Sequence, residues 1–453
     1  MKKSSVIIII LFLVVVFFIC FFVIFFEGEN PKAELNPLPE YITGESEFSI
    51  KVTDKKRGLR NIKVSLRQDG PSISVFEKKF PYEGMLNKKG IHSYEEKFTI
   101  NPKKFGLVQG QVYLAIEIHD FSKRRGGDGN LTIIEHKMIL DDTPPSIAAI
   151  SKHHNINIGG SGLIIYKTSA DTSESGVFVN DFFFKGSPFI KNGKEIFLCY
   201  FALPFNSNND SKLYLWARDH AGNEKKGSFY YHIRDRRFRK DTIILRDKLL
   251  AKIIEPFSPD IFGEKTKDIE KYLFLNKEIR EENHAFLREL CKDPTEEKLW
   301  NNAWIRMKNA ATMATFGDER EYFYNGELVD TEFHLGIDLA SLAMSPVQAS
   351  NAGNVIYTQD LGIYGQTVVI DHGQGLYTIY GHLSSIDVKN DQIVEKGDII
   401  GFSGSTGLAT GDHLHFGFLV QGIPVNPIEW WDSHWIKDNV DRKLKMVKIL
   451  DER

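Results

Sequence analysis

Gly411-Asp412-His413-Leu414-His415-Phe416-Gly417 sets two histidines one residue apart between large apolar side chains. Alternate residues of a strand project from one face, so His413 and His415 point together while Leu414 and Phe416 enter a core on the other. The surrounding sequence has the same texture. Thr367-Val368-Val369-Ile370, Leu376-Tyr377-Thr378-Ile379-Tyr380 and Asp398-Ile399-Ile400-Gly401 are short apolar runs set among glycines, without helical periodicity. Residues 311–434 are therefore expected to form a mostly antiparallel β domain.

His334-Leu335-Gly336-Ile337-Asp338 places an imidazole and a carboxylate four residues apart, a spacing that returns both to one face of a strand or a helix. Alone, such a pair reads as a surface ion pair. Joined by one histidine of the His413/His415 pair, it supplies three nitrogen and oxygen ligands and leaves a fourth position for water, the arrangement of catalytic rather than structural zinc. Zinc held this way acidifies its water and polarises a carbonyl, as amide hydrolysis requires. The other histidine of the pair and His382, in Tyr380-Gly381-His382-Leu383, are then available for acid and base work near neutral pH. Spacing does not decide which of His413 and His415 is the ligand.

These elements occur in one order with Asp371-His372-Gly373, Tyr380-Gly381-His382-Leu383-Ser384, Gly404-Ser405-Thr406-Gly407 and Val425-Asn426-Pro427. In that order, Phe316 to about Trp431 resembles the lysostaphin-like (LytM-type) zinc endopeptidases, which cut peptide links in bacterial peptidoglycan. The resemblance implies one zinc per chain held by His334, Asp338 and His415. It implies that His382 and His413 activate the water and stabilise the oxyanion, and that peptidoglycan is the substrate. Gly417 departs from the family, which usually carries an acidic or amide residue there; this touches the support of the metal site but removes no ligand.

Other residues receive plainer readings. His372 belongs to a hairpin turn, and His153, His154 and His434 are expected at the surface. The glycines of 401–407 lack the lysine of a phosphate loop. Arg320 and Tyr324, ahead of His334, are weighed as residues lining a substrate groove, but no substrate-binding residue is assigned.

Upstream, Ile269, Tyr272, Leu273, Ile279, Phe286, Leu287 and Leu290 recur at helical spacing, predicting a helical section over 234–310. A further helix is predicted from Asp293-Pro294-Thr295-Glu296 through Trp300 and Trp304, whose aromatic rings are read as core. Before this, period-two runs such as Val112–Ile118 and Leu213–Ala217 predict two β-sandwich modules over 42–142 and 143–233, parted at Asp141-Asp142-Thr143-Pro144-Pro145. The second ends in Asp219-His220-Ala221-Gly222-Asn223, which resembles the signature of bacterial immunoglobulin-like modules; His119-Asp120 and Gly129-Asn130 echo it in the first.

Residues 27–41 are expected as a linker and 435–453 as a tail. Residues 6–26 are apolar throughout and follow two lysines in a short N-terminus of residues 1–5, so an uncleaved transmembrane anchor with a cytoplasmic N-terminus is expected. Everything after it is then exported, to a periplasm or a Gram-positive surface. A net charge of -3 gives no general pull toward nucleic acid, and Cys199 and Cys291 are not expected to build a disulfide framework. Two other readings stay open: a regulatory protein that activates another wall hydrolase, and an enzyme silent until a partner binds.

Overall fold

In strand Gly110–Asp120, Val112, Leu114, Ile116 and Ile118 are fully buried while the residues between them keep some exposure. That alternation places it inside a five-stranded sheet, between Leu131–Leu140 and Leu59–Arg67, with Tyr41–Ile42 and Ile73–Lys79 at the edges. A three-stranded sheet of Lys32–Asn36, Ser46–Thr53 and Ser93–Ile100 supplies Leu35, Phe48, Ile50, Val52 and Ile100 to the same core. This is a β-sandwich. The computed structural model describes residues 3–191 and 194–450, so Met1 and Lys2 of the expected cytoplasmic end and 451–453 of the expected tail lie outside the described residues. It comprises two compact units, residues 1–144 with 218–223, and 145–217 with 224–453.

Residues 27–41, expected as a linker, are in fact partly sheet. Leu35 enters the core, and Lys32–Asn36 pairs antiparallel with Ser46–Thr53. Ahead of them, helix Lys3–Phe25 contains an apolar span, Val6–Phe25, long enough to cross a membrane.

Ser187–Lys191, Lys194–Ala202, Ser161–Thr168 and Ile147–Ala149 of the second unit form one sheet; Phe182–Lys185, Thr172–Val179, Leu213–Asp219 and Glu224–Gly227 form another. The expected tail is helical as far as Leu450. Ile436 and Val440 bury in one cluster with Ile164 and Tyr200, and the Lys443 ammonium donates to the Leu163 carbonyl at 2.8 Å.

The helical section holds Asp247–Ile254, Asp268–Phe274 and Arg280–Leu290, the last two joined by a turn of π-helix. It begins with a strand, Lys240–Leu245, that runs parallel to Glu319–Tyr324. The helix predicted from Asp293 does not form. Instead, the Thr295 amide and hydroxyl both donate to the Asp371 carboxylate, at 3.0 and 2.7 Å, and the Leu299 amide donates to the His372 carbonyl at 2.9 Å. Long-range bonds to a hairpin have taken the place of a local cap. Trp300 and Trp304 are nevertheless core, packed with Trp430.

The C-terminal domain is built on an antiparallel sheet ordered Ala311–Ala314, Ile337–Ala340, Leu414–Val420, Leu376–Leu383, Gln366–Asp371, Gly353–Asp360 and Ile393–Val394. Leu414 and Phe416 are each 2% exposed, with Ile337, Leu339, Val368 and Tyr380 around them. Burying each of these two contributes about 1.5–3 kcal/mol, which fixes the strand's register. The opposite face of Leu376–Leu383 packs Tyr377 and Ile379 against Leu287 and Cys291 of the helical section. Cys199 and Cys291 are both buried and free. The chain is mainly β, with one N-terminal apolar helix and many antiparallel sheets.

Candidate active site

Strand pairing brings the two sequence motifs together. Asp338 lies directly across from His415, and Gly381, the residue before His382, pairs with His415 from the other side. His334 precedes the Asp338 strand, its amide donating to the Asp318 carbonyl and its own carbonyl accepting from Gly317.

His334 Nε2, Asp338 Oδ1 and His415 Nδ1 converge, with separations of 2.9 Å (His334 to Asp338), 3.0 Å (His415 to Asp338) and 3.1 Å (His334 to His415). His334 Nδ1–H donates to the Thr315 carbonyl at 3.0 Å, which leaves Nε2 with its lone pair. Burial would raise the Asp338 carboxyl, but His334 and His415 outweigh it and hold it well below the usual carboxylate range. Burial pushes His415 down to about 4, so its imidazole is neutral at neutral pH. With the His415 proton on Nε2, two imidazole lone pairs and a carboxylate oxygen face one point, a donor set that suits a cation. Zinc bonds of about 2.0–2.2 Å at tetrahedral angles set ligand atoms about 3.3 Å apart, so the triangle fits zinc to within a few tenths of an ångström.

Two contacts refine this triangle. Arg320 Nη2 donates to Asp338 Oδ2 at 3.1 Å, leaving Oδ1 to face the histidines. The sequence suggested Arg320 only as a groove residue, not as a partner of Asp338; its approach depends on the hairpin of Glu319–Tyr324 with Glu327–Phe333, which no local pattern announces. His415 Nε2 is buried without a partner, and Gly417, two residues along the same face, offers no side chain to it. Gly336 is required here: a Cβ would sit 2.5 Å from that nitrogen.

His382 and His413 flank the triangle. Their rings lie 4.7 Å apart, and His382 is 5.8 Å from His415. His382 has a left-handed backbone, φ +61°, at a cost of order 1–3 kcal/mol for a non-glycine residue. Its Nδ1–H donates to the Thr406 carbonyl at 2.8 Å, so Nε2 carries the lone pair. Burial first, then the charges of His413 and His415, push it well below the usual histidine range. His413 Nδ1–H donates to the Gly411 carbonyl at 2.8 Å, and Nε2 stands 3.6 Å from Asp338 Oδ1.

All five residues line one cavity of about 320 Å³. Its remaining wall includes Leu249 and Ile253 of the helical section, together with Tyr272, Tyr364 and Leu408. Lys252 Nζ donates to the Thr410 carbonyl on the loop before His413, at 2.8 Å.

Residues outside the cavity behave differently. His372 is buried, bonded to the Ala352 carbonyl and to Thr378 Oγ1, and pushed by burial to about 4. His153 and His434 are exposed as expected. His154 corrects the expectation of a surface residue: it is 1% exposed, held between Ser151 Oγ and the Tyr230 carbonyl. Tyr324 donates to Asp247 at 2.9 Å, at the start of the covering helix.

Residues 332–427 match the model described as peptidase family M23. DD-carboxypeptidase/endopeptidase Mpg of Neisseria meningitidis serogroup B is 43% identical over 95 residues, 21% of this chain and 22% of that protein. Peptidoglycan DD-endopeptidase ShyA of Vibrio cholerae serotype O1 is 45% identical over 96 residues, again 21% and 22%. The chain thus spans about a fifth of the length of these curated relatives. The catalytic domain of lysostaphin from Staphylococcus simulans aligns over 29% of this chain and 98% of its own, at 26% identity and a TM-score of 0.24. The C-terminal region of this chain is a peptidase family M23 domain.

Proposed function

We propose that the chain is a membrane-anchored zinc endopeptidase that hydrolyses peptide bonds in the stem peptides or crosslinks of peptidoglycan. The convergence of His334 Nε2, Asp338 Oδ1 and His415 Nδ1, three potential ligand atoms within 3.1 Å of one another, carries the reading. The relative named as a peptidoglycan DD-endopeptidase, ShyA, supports the substrate class. The apolar helix, with lysine ahead of it and Glu27 after it, supports an anchor that exports the rest of the chain.

In this reading His334, Asp338 and His415 hold the metal, and Arg320 orients the Asp338 carboxylate. Bound zinc supplies a Lewis acid and a water acidified toward neutral pH. His382, neutral and with Nε2 free, takes the proton of the attacking water and returns it to the leaving amine. His413, when protonated, donates from Nε2 to the oxyanion while Nδ1 stays on Gly411. Purified full-length chain is expected to convert defined muropeptide dimers to monomers, read by mass spectrometry. Dimers left intact by zinc-loaded protein, with the cavity open, would refute the assignment.

One observation favours a restrained form of this enzyme: His334, Asp338, His382 and His415 are 5–9% exposed, and helix Asp247–Ile254 forms part of the wall above them. The Lys252 hydrogen bond is exposed and worth about 1 kcal/mol at most, less than the apolar packing of Leu249 and Ile253. Truncating the half-buried Leu249 to alanine removes about 1 kcal/mol of cover, so L249A together with K252A is expected to raise the rate on intact peptidoglycan at least about fivefold. An unchanged or lower rate, with zinc content preserved, would mean that the helix is not a restraint.

A further inference from the structure

A second cluster of ligating side chains lies in the first sandwich, far along the chain from the histidines. Glu27, Asp54 and Asp120 are 8%, 2% and 0% exposed, and one oxygen-bearing group from each lies within 4.8 Å of the others. Three ionised carboxylates at that spacing repel by about 3–4 kcal/mol per pair at an effective dielectric of about 20. Something must offset this.

Local hydrogen bonds offset part of it. Asp54 Oδ1 accepts from the amides of Lys56, Arg57 and Gly58 at 3.1, 2.7 and 2.6 Å. Asp120 Oδ1 accepts from the amides of Ser122 and Asn130, at 2.9 and 2.6 Å. Yet Asp54 Oδ2 is buried and accepts nothing. The Asn130 amide nitrogen is surrounded by four oxygens within 3.2 Å: the Glu27 carbonyl, Glu27 Oε1, the Glu29 carbonyl and Asp120 Oδ2. Its two hydrogens cannot serve them all. The ion pairs made to this corner among the described residues come from Lys56, whose ammonium is 3.2 Å from Glu29 and 3.6 Å from Glu27. That side chain is 55% exposed and sits at the rim.

We propose that Glu27, Asp54 and Asp120 form a binding site for one Ca²⁺. The donors are all oxygens, which selects a hard cation over zinc or copper. Carboxylates and carbonyls fixed by the surrounding fold suit the irregular six- to eight-fold shell of Ca²⁺ better than the strict octahedron of Mg²⁺, which keeps its waters. The orphaned Asp54 oxygen and the surplus of acceptors around Asn130 are what such a cation would satisfy. The site joins three separate stretches: Glu27, two residues past the end of helix Lys3–Phe25, the turn after strand Ser46–Thr53, and the end of strand Gly110–Asp120. Calcium bound there fastens the exit of the apolar helix to the sandwich.

The test uses full-length protein in detergent, stripped with chelator and reloaded with one equivalent of zinc. Binding of radioactive Ca²⁺ is then followed by equilibrium dialysis. Wild type is expected to bind one more equivalent than Asp54→Asn, with a Kd between about 10⁻⁶ and 10⁻³ M. Asparagine keeps Oδ1 for the three amides, so this variant removes the charge without removing the turn. Glu27→Gln is expected to weaken the same equivalent at least about tenfold and covers the case in which Asp54→Asn misfolds. Asp338→Ala is expected to keep it, which separates this cation from the histidine site. Equal calcium binding by wild type, Asp54→Asn and Glu27→Gln, or loss of the equivalent in Asp338→Ala alone, would overturn the proposal.

Discussion

His382→Ala is expected to leave about one zinc per chain while lowering muropeptide turnover by about 10²–10⁴-fold, the usual worth of a positioned acid or base. His382 stands outside the triangle of His334, Asp338 and His415, so removing its imidazole takes no ligand from the metal. Its Nδ1 is committed to the Thr406 carbonyl, and only Nε2 can move a proton. The left-handed backbone at φ +61° complicates the alanine variant, because alanine resists that conformation. His382→Asn tolerates it better and provides the control. Zinc analysis and turnover must be read together: zinc lost along with activity would make His382 a holding residue, and retained activity would remove it from the reaction.

Asp338→Ala is expected to abolish zinc binding and reduce turnover to background. It would leave two buried imidazoles facing each other and the Arg320 guanidinium without its carboxylate. Arg320→Ala is expected to act on the same quantity more weakly, lowering zinc affinity by about 10–100-fold, the range for partners that orient a ligand. Arg320 is 22% exposed, so solvent screens part of its charge and the lower end is the better expectation. Competition with a chromogenic chelator ranks the three proteins. Arg320→Ala binding zinc as tightly as wild type would mean that Oδ2 needs no anchor.

Much of the site was legible because its residues obey short-range rules. His413 and His415 share a face through period two, and Leu414 and Phe416 name the face that is buried. Asp338 and His415 meet because two such strands pair, which the apolar pattern demanded without stating their register. Arg320 was illegible for the opposite reason: it reaches Asp338 only through a hairpin whose register is set by contacts distant in sequence. The failed helix at Asp293 makes the same point. The local cap pattern of Asp293 and Glu296 was overridden, because Thr295 spends its bonds on Asp371, 76 residues away. The amphipathic pattern around Tyr272 and Leu287 announced helices, while the cavity they help to wall could not be read from it.

Glu429 is 5% exposed and accepts from Asn157 Nδ2 at 2.7 Å and from the Ser161 amide at 2.9 Å, both in the second sandwich. Trp430 beside it lies in the same buried cluster as Tyr200, Trp304 and Phe418. The boundary between peptidase and sandwich is therefore one continuous interior, sewn by a buried carboxylate. A scissor placed at residue 311 would cut through that interior, baring Trp430 and taking Asn157 and Ser161 from Glu429. Expression of the enzymatic part is better begun near 145, carrying its neighbour with it as a single heritable block.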